Sequence, residues 1–180
     1  MPSWPTSLPS PTVESLRAAG IDGMRALAAG MPGGRPLHIH VAEQNKEVQD
    51  CLAHHGRRPI EWLTEQLPLN ERWHLVHATH ATPQELRALQ QCGATVVLCP
   101  STEANLGDGI FDARSWLQAG GRWGLGSDSH ASVNAAEEMM LLEYSQRLAT
   151  RQRNVLVTEE QTSVATAMTL AAVNGGAQAC

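Results

Sequence analysis

Short apolar segments alternate with helix-like segments along most of this chain, and that alternation limits the folds open to it. Four strands are predicted, at residues 36–41, 73–77, 94–99 and 123–126. Each interval between them leaves room for a helix, which is typical of parallel strands joined by helical crossovers. The pattern therefore predicts an α/β fold with a parallel sheet rather than a β-sandwich or a helix bundle.

The segments between and after these strands have helical periodicity or helix-end signals. Residues 1–12 are rich in Pro and Ser and are predicted to be irregular, or to be a strand removed from its context. The segment 100–109 is predicted to be a long polar loop that would line a pocket. Helices are predicted at 21–31, 44–54, 60–67, 83–91, 111–119, 134–150 and 159–173.

The length of the chain limits the size of such a fold. A complete eight-unit (β/α) barrel takes roughly 250 residues, and this chain has 180. We therefore expect residues 1–180 to form a single incomplete TIM-type (β/α)-barrel domain with about five strand–helix units.

Composition bears on partners and compartment. A net charge of −5 argues against binding to nucleic acid or to an anionic membrane surface. No apolar run is long enough to cross a membrane, and no secretory signal peptide is recognisable. The four Cys residues form no CxxC pair, which indicates reduced thiols and a cytoplasmic protein.

Ionisable residues follow three of the predicted strands. His40 and Glu43 follow the first, His77 ends the second, and Asp128 follows the last. Catalytic residues of parallel barrels lie at the carboxyl ends of the strands, and imidazole and carboxylate groups suit a catalytic zinc ion. The spacing thus predicts a metal-dependent active site.

Each of these residues also has an ordinary structural interpretation. A lone His on a strand is most often a buried, hydrogen-bonded core residue, and Glu43 could simply start the next helix. Asp128 could cap the helix that follows it, although Asn134 is better placed to do so. His74 and His80 are alternatives to His77, and His38 is expected to be either an inward-facing neighbour of His40 or a packing residue.

The motifs around these residues resemble the amidohydrolase superfamily in its zinc aminohydrolase branch. The matching features are the His-x-x-Glu of residues 40–43, His77, the Cys-Pro-Ser turn of residues 99–101, and the Ser127-Asp128 turn. Longer segments resemble the members of that branch that deiminate N-formimino-L-glutamate in bacterial histidine degradation. They are residues 38–44, 73–80, 99–111, 126–130 and 141–148.

The resemblance implies a partial barrel that carries about strands 4 or 5 to 8, and a hydrolysis that yields N-formyl-L-glutamate and ammonia. It implies that His40 and Asp128 bind Zn²⁺, for which Fe²⁺ could substitute. It further implies that Glu43 moves protons, that His77 polarises the site, and that Asp128 also accepts a proton from the attacking water. Arg17 would bind a carboxylate of the small acidic substrate.

The chain also departs from the family pattern. The His-x-His of the family's first strand is missing, and Glu14 stands where the family usually has a His before Ser15-Leu16-Arg17. The N-terminal half-barrel and a small β domain are missing as well. The chain alone is therefore expected to bind zinc weakly and to be inactive, whereas the parent enzyme is expected to be a homodimer.

Two other functions stay open at this stage. The chain could belong to another zinc aminohydrolase, such as a purine or nucleoside deaminase. It could also be a non-enzymatic remnant of such an enzyme.

Overall fold

A computed structural model describes residues 12–13 and 20–179, and within them five parallel strands form one sheet. The strand order along the sheet is the order along the chain, which is the arrangement of consecutive strands in a (β/α) barrel. The strands are β1 (Thr12–Val13), β2 (Leu37–Val41), β3 (Trp73–His77), β4 (Thr95–Leu98) and β5 (Arg122–Leu125). The expectation of a partial parallel α/β barrel is confirmed.

Helices occupy most of the chain between and after the strands. Among the described residues, α1 (Ile21–Gly30) lies between β1 and β2, while α2 (Asn45–His55) and α3 (Pro59–Gln66) lie between β2 and β3. The others are α4 (Pro83–Cys92), α5 (Pro100–Leu106), α6 (Ala113–Gln118), α7 (Ala135–Thr150) and α8 (Val164–Ala179). Among the described residues, no helix combines the length and apolarity that crossing a membrane requires.

The two faces of the sheet differ in what they bury, because successive side chains of a strand point to opposite faces. On one face Leu37, Ile39 and Val41 pack with helix residues in the main hydrophobic core. On the other face Val76, Val97 and Cys99 form a small separate cluster. The helices therefore cover one face, as they cover the outside of a barrel.

Helix α5 was not expected, since residues 100–109 were predicted to be a loop. Pro100 starts the helix and Gly107 ends it in the left-handed conformation at φ 72°. This arrangement of Pro at the start and Gly at the end is a recognised helix signal. The prediction was wrong because Ser101, Thr102 and Glu103 are polar although they are buried, so the segment lacks apolar periodicity.

The other helix boundaries differ less from the prediction. The last helix begins at Val164 and continues to Ala179 instead of covering 159–173. Asn134 accepts a hydrogen bond from the Ala136 amide and so caps α7 as expected. Glu137 does not complete a capping box there, since it accepts a hydrogen bond from Ser132 instead.

A stacked pair of histidines lies near the amino ends of β2 and β3, at the end of the sheet away from the strand termini that carry His40 and His77. The rings of His38 and His74 stand 4.8 Å apart, and His38 Nε2 lies 3.1 Å from the carbonyl oxygen of Ala179. Burial lowers the pKa of His74 to about 4, helped by the neighbouring His38 and Arg122. Of the two roles that its position in the sequence left open, His38 thus has that of a packing residue.

This pair predicts a loss of stability in mild acid. In the unfolded chain His74 takes up a proton as the pH falls through its ordinary pKa of 6.5, whereas the folded protein resists protonation until the pH nears about 4. Stability is therefore complete above that ordinary pKa and decreases below it. Between about pH 7.5 and about pH 5.5 the free energy of unfolding should fall by about 1 kcal/mol from His74 alone.

Urea unfolding at both pH values would measure this decrease. His74→Leu should reduce the difference between the two pH values, while His54→Gln, at an exposed position of α2, should leave it unchanged. Part of the pH dependence should remain in the His74 variant because burial also lowers the pKa of His38. An equal pH dependence in the His74 variant and the native chain would contradict the assignment.

Candidate active site

The carboxyl ends of β2, β3 and β5 bring three of the expected residues together. His40 Nε2 lies 3.3 Å from Asp128 Oδ1, and His77 Nε2 lies 4.0 Å from Asp128 Oδ2. Each of the three residues offers a potential metal-ligand atom, and these atoms all lie within 4.8 Å of one another. The His77 side chain is fully buried, whereas those of His40 and Asp128 are each 26 % exposed, so solvent reaches one side of the group.

Glu43 lies at the edge of this group. Its Oε1 atom is 3.7 Å from His77 Nε2. Burial raises the pKa of Glu43, and the charges of Asp108 and Asp128 add to the increase while the two histidines oppose it. A carboxyl group with a raised pKa beside an accessible site is suited to general acid–base work.

The backbone adopts unusual conformations where it presents these residues. Residues with positive φ lie at or just beyond the ends of β2, β3 and β5, although none of them is Gly. They are Ala42 (50°), His77 (69°), Ala78 (51°), Asp128 (39°) and His130 (57°). Such conformations cost about 1 to 3 kcal/mol each and persist only where the surroundings enforce them, so these turns must be held by strong contacts.

Glu47 supplies such contacts for the first turn. Its buried carboxylate accepts hydrogen bonds from the amides of Ala42 at 2.8 Å and Glu43 at 3.0 Å. A charged acceptor makes a stronger hydrogen bond than a neutral one. Glu47 therefore fixes the backbone from which Glu43 projects.

Helix α5 braces the other two strand ends. Thr102 Oγ1 lies 3.0 Å from Ser129 Oγ and accepts a hydrogen bond from the Ser129 amide, which ties down the turn that carries Asp128. Glu103 Oε1 accepts hydrogen bonds from His77 Nδ1 at 3.2 Å and from the Cys99 amide at 3.0 Å. The helix itself is anchored to α7, because the Ser101 amide donates to Glu138 Oε2 at 2.8 Å.

Glu47, Thr102 and Glu103 were not expected from the sequence. Glutamates in the first turn of a helix usually lie on the surface, where the helix dipole favours them. The Pro100 and Gly107 helix signal would have revealed α5, but no local pattern shows that Glu103 turns inward towards His77.

Three carboxylates, one on the Nδ1 side of His77 and two on the Nε2 side, act on the pKa of its ring. Burial alone would lower the pKa of His77, but the hydrogen bond and charge of Glu103 outweigh it, and Glu43 and Asp128 add to the effect. The net result is a raised pKa for His77. Its Nδ1 atom is bound to Glu103, which leaves Nε2 facing Glu43 and Asp128.

The donor set fits a divalent metal ion. Imidazole nitrogen and carboxylate oxygen are the ligands that catalytic zinc takes alongside water. Within the described part of the chain, His77 Nε2 and His40 Nδ1 are buried without a hydrogen-bond partner, and buried polar atoms without partners are rare. An ion held by His40 and Asp128 would lie against the unpartnered Nε2 of His77.

The alternatives from the sequence lie elsewhere. His74 stacks on His38, and His80 is not among the residues whose ligand atoms converge. Arg17 and Glu14 lie outside the described residues, so the role expected of Arg17 stays a prediction.

Comparison with known proteins agrees with this geometry. The sequence pattern of the Amidohydrolase family matches residues 10–177. The chain belongs to the amidohydrolase family. The motifs quoted above had predicted this membership, which is confirmed.

Two curated relatives indicate which kinds of amidohydrolase the chain is similar to. The chain is 51 % identical over 165 residues to the formimidoylglutamate deiminase of Pseudomonas aeruginosa, a match that covers 92 % of this chain and 36 % of the relative. It is 35 % identical over 134 residues to the 5-methylthioadenosine/S-adenosylhomocysteine deaminase of Pyrococcus furiosus, covering 73 % of this chain and 32 % of that enzyme. The chain thus spans about a third of the length of these amidohydrolases.

Solved amidohydrolase structures share the fold. An amidohydrolase from Brucella melitensis superposes with a TM-score of 0.89 at 46 % identity, over 93 % of this chain and 37 % of that one. An adenosine deaminase from Xanthomonas campestris with bound zinc superposes with a TM-score of 0.78 at 25 % identity, over 93 % of this chain and 38 % of that one.

Proposed function

We propose that this chain forms the part of a metal-dependent hydrolase that carries His40, Glu43, His77 and Asp128, and that the enzyme deiminates N-formimino-L-glutamate. The products are N-formyl-L-glutamate and ammonia. The observation that carries the proposal is the 51 % identity to a formimidoylglutamate deiminase over 92 % of this chain. The convergence of the ionisable residues at three strand ends supports it.

The residues of the candidate active site have different roles in the proposed reaction. His40 and Asp128 contribute to holding a zinc ion, as the zinc in the related adenosine deaminase structure suggests. Zinc, when bound, polarises water and so makes it a better nucleophile. Asp128 accepts a hydrogen bond from the attacking water and orients it towards the formimino carbon.

Glu43 and His77 handle protons and charge. Glu43 takes one proton from the water and delivers it to the formimino nitrogen, which the raised pKa of its carboxyl group favours. Asp128 accepts the second proton of the water and returns it to the same nitrogen as the C–N bond breaks, so that the nitrogen leaves as ammonia. His77 presents Nε2 to the same space, and in its protonated form, which its raised pKa favours, it donates from Nε2 to the negative charge that develops on the reacting centre. The two side chains face the same space, with His77 Nε2 3.7 Å from Glu43 Oε1.

The substrate and the compartment belong to the same proposal. Arg17 would bind a substrate carboxylate, since a guanidinium group binds carboxylate through two parallel hydrogen bonds. A cytoplasmic location is supported by Cys51, Cys92 and Cys99, which are free thiols. The homodimer expected of the parent enzyme stays a prediction.

A chimera tests the function. The matched segment of the Pseudomonas aeruginosa deiminase would be replaced by the corresponding residues of this chain, and ammonia release from N-formimino-L-glutamate would be measured. The chimera should be active, and Glu43→Gln should reduce kcat by about 100-fold or more because a general acid–base group is lost. Glu65→Gln, at an exposed position of α3, is the matched control and should change little.

Zinc content and a second substrate complete the test. His40→Ala should remove stoichiometric zinc from the chimera, as measured by elemental analysis. A chimera that holds zinc but deaminates 5-methylthioadenosine in preference to the acidic substrate would contradict the proposal.

A further inference from the structure

His77 is held in one orientation by a residue for which the proposed chemistry has given no role. Glu103 lies on α5, the helix that follows β4, and β4 is the neighbour of the strand that ends at His77. The Glu103 carboxylate lies 3.2 Å from His77 Nδ1. Both side chains are buried, His77 completely and Glu103 with 7 % of its side chain exposed. The contact therefore lies away from bulk water, and a charged hydrogen bond is stronger in such a buried place than in water.

The same carboxylate oxygen is fixed from its other side. The Cys99 amide donates to Glu103 Oε1 at 3.0 Å, and Cys99 is the residue that precedes α5. The end of β4 and the first turn of α5 thus hold the acceptor oxygen in place independently of its contact with His77. Glu103 is a rigid acceptor rather than a mobile surface carboxylate.

We infer that Glu103 is a positioning residue that selects the Nδ1–H tautomer of His77 and thereby directs Nε2 towards Glu43 and Asp128. A carboxylate can only accept a hydrogen bond, so the neutral imidazole must place its proton on Nδ1. Nε2 then carries the lone pair, and it is the atom that lies 3.7 Å from Glu43 Oε1 and 4.0 Å from Asp128 Oδ2.

The arrangement explains two facts together. Within the described residues His77 Nε2 is buried and has no hydrogen-bond partner, so the hydrogen bond between Nδ1 and Glu103 is what orients the ring. His77 also adopts φ 69°, so its backbone conformation turns the ring to where α5 can reach it. The inference rests on the proposed function only for what the oriented Nε2 does in catalysis.

Nitrogen NMR of the chain reads the tautomer directly and needs no activity. At alkaline pH, where the ring is neutral, the native chain should show a pyrrole-type shift for His77 Nδ1 and a pyridine-type shift for Nε2. Glu103→Gln should lower the ratio of the Nδ1–H to the Nε2–H tautomer by about tenfold, because an amide can donate as well as accept. Glu103→Met keeps the length of the side chain without any strong hydrogen-bonding group and should give a similar loss.

Glu138→Gln is the matched control. Glu138 is also buried and accepts hydrogen bonds from α5, through the amide and hydroxyl of Ser101, and no hydrogen bond joins it to a histidine. It should leave the His77 tautomer unchanged although it removes the same charge from the same region. An unchanged ratio in folded Glu103→Gln, or an equal change in Glu138→Gln, would overturn the inference.

Activity in the chimera gives a second, separable readout. Glu103→Gln should lower kcat with little change in KM, because it misorients a group that acts on the reacting centre rather than on substrate binding. If the chimera proves to have a different substrate, the NMR result still decides whether Glu103 controls His77. If the tautomer does not respond, the assignment of the substrate is unaffected.

Discussion

Gly175→Ala is expected to destabilise the protein by about 3 kcal/mol, whereas Gly176→Ala, one residue further along α8, is expected to be neutral or stabilising. A Cβ atom at Gly175 would overlap the Trp123 carbonyl oxygen, so α8 would have to move away from β5. A Cβ atom at Gly176 would meet nothing within 4 Å.

The two variants are informative together because their expected changes in stability have opposite signs. In a helix interior, Ala is favoured over Gly by up to about 1 kcal/mol, so any loss at Gly175 must come from packing. Urea unfolding of the two variants and the native chain would measure the difference. A Gly175 variant as stable as the Gly176 variant would mean that α8 does not rest directly on β5.

Glu143→Gln is expected to lower the free energy of unfolding by about 3 kcal/mol. The buried carboxylate accepts hydrogen bonds from the amides of Val155 and Leu156, each at 3.0 Å, and from Arg147 at 2.6 Å. Glutamine has only one acceptor oxygen for these three donors. At least one buried N–H would lose its acceptor and face an NH₂ group, which is costly.

Glu137→Gln on the same helix is the comparison for this variant. Glu137 is exposed and accepts a hydrogen bond from the Ser132 hydroxyl. Its replacement should change stability by less than about 1 kcal/mol. Similar losses in both variants, measured by urea unfolding at neutral pH, would show that Glu143 does not anchor the segment after α7.

Elements with clear periodicity could be predicted from the sequence. The strands β2 to β5 are short apolar segments, and α4 has both Thr82 as its N-terminal cap and Gly93 in the left-handed conformation at its end. These are local signals, because the residues that cause them lie within the element. The approximate position of His40, His77 and Asp128 followed from the same reasoning, since parallel strands share one carboxyl edge.

Interactions between distant residues could not be predicted in that way. Glu47, Glu103 and Glu143 are helix glutamates that a sequence pattern places on the surface, and all three are buried. Each accepts backbone amide hydrogen bonds from outside its own helix, Glu103 from the adjacent residue Cys99 and Glu143 from residues beyond α7. Only the folded arrangement shows which amides lack another acceptor.

The residues with left-handed backbone conformation at the strand ends have opposite effects on two properties. They lower the stability of the fold, and they restrict the orientation of the candidate active-site residues. At Ala42 and Ala78 a glycine would relieve backbone strain, so selection for robustness alone would favour it. The same glycine would widen the range of angles at which Glu43 and His77 leave their strands. With alanine at both positions the fold is less stable than it would be with glycine, and the strand edge that carries the candidate active site has little freedom to rearrange.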